Sequence, residues 1–173
     1  MISLSVLFYM LICLFIVIGA MRGWSKEVVV CASGIFGLFI IEMVVPKIAG
    51  ELSGTRQFWV NFIVLCGCAF FGYQTPSFQR FMESGRFERS GFRDFIMGAL
   101  MGAVNGYIFV SSAWYYLAQA GYPFTQITAP DAATEAGQAA IRLLGMAFPN
   151  YVQPPVILYA VAVAFIIVIG VFI

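Results

Sequence analysis

Apolar positions in this chain come as long, nearly unbroken runs rather than as the alternations of a half-buried element. Five runs reach or approach the roughly 20 apolar residues that a bilayer-spanning helix needs. They cover residues 2–20, 28–46, 57–73, 95–119 and 155–173. The second contains Glu42 and is closed by Pro46; the third is short. The first run has no basic residue before it and outlasts the apolar core of about 7–15 residues found in secretory signals. It therefore reads as a retained spanning helix. The last run ends in "VIGVFI" without a polar flank, which suits a chain that continues past Ile173.

Between the fourth and fifth runs the pattern changes. "TAPDAATEAGQAAIRLLGMAF" places Ala132, Ala136, Ala140, Leu143, Leu144 and Ala147 on one helical face. Thr128 can cap, Pro130 suits an early helical position, and Asp131 follows. The spacing predicts a helix over about 129–147. Beside a membrane it reads as an interfacial amphipathic helix, with a lid or docking surface as the alternative. The predicted fold is all-α: one integral domain, a polytopic bundle of about five spanning helices plus that interfacial helix. No internal repeat is visible, so a transporter built on inverted repeats gains no support.

Composition agrees with lipid as the solvent. Of 173 residues, 62% are hydrophobic and 10% charged, against about 25% charged in a soluble domain. A net charge of +1 with no basic stripe excludes nucleic acid as a partner. The bilayer, other membrane proteins or further copies of the chain are the partners to expect. The connections on one side carry Arg22, Lys26, Arg80, Arg86, Arg89 and Arg93, those on the other only Lys47, Arg56 and Arg142. Lys and Arg concentrate on the cytoplasmic side. Loops 21–27 and 74–94 are then cytoplasmic and the N-terminus outside.

Candidate chemistry is sparse. There is no histidine, so no nucleophile–base pair can be built with one. No P-loop, dinucleotide fingerprint or zinc-protease pattern occurs. Ser25 and Lys26 are adjacent, and adjacent residues on a helix do not face each other. Cys13, Cys31, Cys66 and Cys68 lie in apolar runs and read as free thiols acting as small hydrophobes. No enzyme activity, metal or cofactor is expected. The intramembrane polar residues are Glu42, Asn61 and Asn105, and each is costly in lipid. Glu42 reads as a headgroup-level carboxylate, with a proton or cation site as the alternative. Asn61 can be interfacial. Asn105 must find a hydrogen-bond partner, best across a helix interface.

The most distinctive pattern is "FRDFIMGALMGAVNGYIF", where Gly98, Gly102 and Gly106 recur every four residues with Ala99 and Ala103 beside them. In lipid, small residues allow the close backbone approach that holds helices together. Gly34 and Gly37, with Ala32, form a looser small patch on the second run. Packing between the second and fourth runs is the expected pairing, with a helix of another chain as the alternative partner of the ladder.

Two motifs together resemble a family. "GAMRGWSKE" holds Arg22, Gly23 and Glu27 as R-G-x-x-x-E, and Asp94 stands four residues before the glycine ladder, beside Arg93. The chain resembles the colicin V production (CvpA) family of bacterial membrane proteins over residues 1 to about 120. It departs from that pattern at Phe95 and Asn105, where the family carries arginines. The resemblance implies a non-enzymatic inner-membrane protein of toxin production or export, or of envelope maintenance, working by assembly. An accessory or scaffold subunit of a larger membrane complex, electron-transfer or light-harvesting for example, is the alternative, and a small transporter or channel the third. Arg22 is expected to meet lipid phosphate or Asp94, and Glu27 to complement the dipole of the second helix.

Overall fold

A computed structural model of the chain describes residues 4–50, 52–74 and 91–172. Arg80, Arg86 and Arg89, which carry half of the basic bias used above, lie outside the described residues. The fold is all-α. Helix α1 covers Leu4–Arg22 and α2 covers Trp24–Phe39. A π-helical turn, Ile40–Val44, leads from α2 into α3, Val45–Ala49. Helix α4 spans Gly54–Tyr73, α5 Gly91–Gln119, α6 Glu135–Gly145 and α7 Val156–Phe172.

Three helical stretches are long and apolar enough to cross a membrane: α1, the continuous α2–α3 rod (Trp24–Ala49) and α5. The 20-residue α4 packs against α2 and α5, and the 17-residue, wholly apolar α7 packs against α2. Helix α5 is the hub. It lies along α1 for most of its length and also touches α2 and α4. The central core gathers Val30, Leu38 and Ile41 with Leu65, Ile108, Tyr116 and Ile157, from four different helices.

Pro46 does not close the second helix, contrary to its reading as a stop. Proline lacks an N–H and its ring collides with the carbonyl four residues earlier. The π-turn just before it widens the backbone where that collision falls, and the rod continues to Ala49. Gly50, with φ 66°, ends it.

The helix expected over 129–147 is shorter and starts later. Thr134, not Thr128, is its cap: the Thr134 hydroxyl accepts from Gly137 N–H at 3.0 Å. The preceding residues form turns, in which Asp131 accepts from Ala133 N–H and its carbonyl accepts from the Thr134 N–H. The apolar face of α6 does not stand alone. Ala140 is buried against Phe8 and Trp114, and Leu143 and Leu144 pack on the same cluster. The segment after it is strapped to α5, with Tyr107 donating to the Met146 carbonyl and Phe148 N–H to the Ser111 hydroxyl.

Candidate functional site

Only one residue, Gly23, separates α1 from α2. Its φ of 85° is a conformation that side-chain-bearing residues seldom take. A Cβ there would also lie 2.6 Å from Asp94 Oδ2. Glycine is thus required twice, by the turn and by the carboxylate pressed against it. Asp94 accepts from the Trp24 N–H at 3.4 Å. It supplies a negative charge to the start of α2, where backbone donors lack helical partners.

The same turn folds Arg22 back over α2. Arg22 Nη1 meets Glu27 Oε1 at 2.8 Å, and Nη2 donates to the Tyr73 carbonyl at 3.2 Å. The guanidinium lies over the Tyr73 ring, 4.3 Å from its centroid. One arginine therefore ties the end of α1, the first turn of α2 and the last turn of α4. Glu27 is completely enclosed. Its second oxygen, Oε2, accepts from Asn105 Nδ2 at 2.8 Å, and the same Nδ2 donates to the Glu27 carbonyl at 2.9 Å. Asn105 is also fully buried, so α5 is bolted to α2 by an amide that reads a carboxylate and a backbone oxygen together.

The expected contact between Arg22 and Asp94 is not made. Glu27 lies closer along the fold, because the Gly23 turn aims Arg22 down the first turn of α2. Asp94 is taken by the Trp24 N–H at that helix start. Glu27, expected merely to complement a helix dipole, is instead the most deeply enclosed charge among the described residues. Arg93 is exposed in the first turn of α5.

The glycine ladder faces α1 rather than the patch on α2. A Cβ on Gly19 would lie 2.7 Å from Gly102 Cα and would strike the Gly98 carbonyl. A Cβ on Gly98 would meet the Gly19 carbonyl, and one on Gly102 the Phe15 carbonyl. Gly106 is slightly looser, 2.9 Å from Phe15 Cβ. The collisions at Gly19, Gly98 and Gly102 are with backbone, which cannot swing aside. Ala99 and Ala103 stand half-buried on the flank. The small patch serves other neighbours: a Cβ on Gly34 would come within 3.0 Å of the Phe109 ring on α5, and one on Gly37 within 3.1 Å of Cys68 Cβ on α4.

A second carboxylate sits at the other end of the rod. Glu42, in the π-turn, accepts from the Tyr116 hydroxyl at 3.1 Å and is half-buried. Asn61 is buried within α4. Among the described residues no group of three or more cysteine, aspartate or glutamate side chains gathers to hold a metal. Sequence reasoning missed Tyr73 and Tyr116. A tyrosine near the end of an apolar run reads as an interfacial anchor, which hides its use as a platform for Arg22 or a donor to Glu42.

No family model, curated protein or solved structure matches the chain. What the site can do follows from its geometry alone. It gathers residues from four helices, with one hydrogen bond closing a gap of 78 positions, and it spends the Arg22 guanidinium and the Asn105 amide on other parts of the same chain.

Proposed function

We propose that the chain is a multi-pass inner-membrane protein of the colicin V production type, acting by assembly with other membrane proteins rather than by chemistry of its own. One observation carries this reading. The two motifs that support the resemblance form a single unit in space: Gly23 against Asp94, and Gly19 against Gly98 and Gly102, while Glu27 meets Asn105, a position at which the chain departs from the family. Spacing that could be accidental in a sequence becomes one interlocked joint. The joint is internal, so the surfaces left for partners are the outward apolar faces of α1 and α7. In this reading the Arg22–Asp94 end faces the cytoplasm, as the lysine and arginine bias favours.

Two measurements test it. A bacterium lacking its own protein of the colicin V production type should regain toxin production or envelope integrity when given this chain. Isolation from native membranes in lipid discs should recover fixed membrane proteins at constant ratio. Failure to complement, together with recovery of the chain alone, would overturn the proposal.

A further inference from the structure

Helices α2 and α7 pack together but leave an apolar cleft of about 200 Å³ between them. Val29, Ala32 and Phe36 line one wall, and Val161, Ala164 and Val168 the other. We propose that this cleft is a lipid site: it holds an acyl chain of an anionic phospholipid whose phosphate is met by Lys26.

The lining decides the first half. Ser33 is the one hydroxyl at the cleft, and it donates to the Val30 carbonyl at 2.8 Å, so no unsatisfied polar group faces an occupant. An α-helix is about 10–12 Å across and is too wide for this space, whereas a hydrocarbon chain is not. The cleft also has a direction. Phe36, at the far end of the α2 wall, meets Phe165 edge-to-face at 6.4 Å. From there the cleft runs towards Val29 and Val168, at the end of the bundle where α2 begins.

Charge decides the second half. Lys26 stands three residues before Val29, a spacing that puts both on one face of α2. A lysine stem can lie along apolar surface while its ammonium reaches headgroup depth. Among the described residues no hydrogen bond or ion pair engages Lys26. Arg22, the neighbouring cation, is committed to Glu27 and Tyr73. A cation in the first turn of a helix opposes the macrodipole. A phosphate beside it relieves that opposition, and an anionic headgroup adds the attraction of a second charge.

The test is native mass spectrometry of the full chain, stripped of lipid in mild detergent and titrated with dioleoyl phosphatidylglycerol or dioleoyl phosphatidylcholine. The first phosphatidylglycerol should bind about fivefold more tightly, the value of one basic residue at an anionic surface. Lys26→Gln should abolish that preference while leaving phosphatidylcholine binding unchanged. Ala164→Phe, which fills the cleft, should weaken the first binding of both lipids. Equal affinity for the two lipids in the unaltered chain, or a preference that survives Lys26→Gln, overturns the proposal. So does an Ala164→Phe variant that loses a dimer instead of a lipid, which would assign the cleft to a second copy. If Ala164→Phe does not fold, the other two comparisons still decide. Lys26 is half-exposed and engages none of the described residues, so its substitution does not threaten the fold.

Discussion

The α2–α3 rod carries a carboxylate near each end, and the two are treated in opposite ways. Glu42 lies inside an apolar run, yet it is half-buried and accepts one hydrogen bond, from Tyr116. Glu27 lies where a polar connection gives way to an apolar run, yet it is fully enclosed, paired with Arg22 and bonded to Asn105. Position along a hydropathy pattern therefore does not report depth in the bundle. What reports it is the supply of partners: a buried carboxylate needs an opposite charge and donors for its remaining lone pairs. Among the described residues only the Glu27 end has both. That end also has the glycine ladder, so charge pairing and close backbone contact coincide there.

Gly102→Leu should have the largest effect. Its new side chain would enter the Phe15 carbonyl and part α1 from α5. We expect a loss beyond about 4 kcal/mol, which only a few named mechanisms produce. Size-exclusion of a fluorescent fusion should show no monodisperse peak. Normal recovery would mean that the two ends do not differ in backbone closeness.

Next comes the direct contrast of the carboxylates. Glu27→Ala leaves Arg22 without its ion partner and should cost about 3–5 kcal/mol. Glu42→Ala removes one hydroxyl bond and should cost about 1 kcal/mol. Thermal melting of both variants in the same detergent checks the gap, and equal shifts would erase the distinction. Asn105→Leu falls between, at about 1–3 kcal/mol, since it leaves a buried carboxylate oxygen unpaired. The same melt with Asn105→Leu added to Glu27→Ala should lose much less than the sum, because the two residues are in contact. Smallest of all, Thr134→Ala at the distant α6 cap should cost about 1 kcal/mol and leave both ends unaffected. Helicity and melting by circular dichroism would show whether that effect is local.

Much of the architecture was legible in the sequence because spanning helices are declared by apolar length alone. The five runs correspond to α1, the α2–α3 rod, α4, α5 and α7, and the face of the glycine ladder follows from four-residue spacing. Asn105 could be singled out as needing a partner across an interface, but the partner could not be named. Glu27 looks solvated until the one-residue turn at Gly23 tucks it under α5. The ladder's mate was misjudged for a related reason. Ala32, Gly34 and Gly37 form the more conspicuous small patch, whereas α1 offers Gly19 alone, beside the carbonyl of Phe15. One small residue suffices when the opposite helix supplies three. Pro46 misled because a π-turn, which leaves no mark in hydropathy, absorbs its collision.

The single-residue link at Gly23 has a consequence for biosynthesis. Helices α1 and α2 leave the ribosome together, but α1 makes its main contact with α5 and only a minor one with α2. The residue that seals the link, Asp94, lies 70 positions after Trp24. At translation speeds of about 5–20 residues per second, that gap is roughly 4–14 seconds. During that interval the newborn hairpin holds Glu27 and the ladder-facing edge of α1 uncovered. Arrival of α5 closes the joint, so α1 and α2 reach their final packing only after the fourth apolar run has been made.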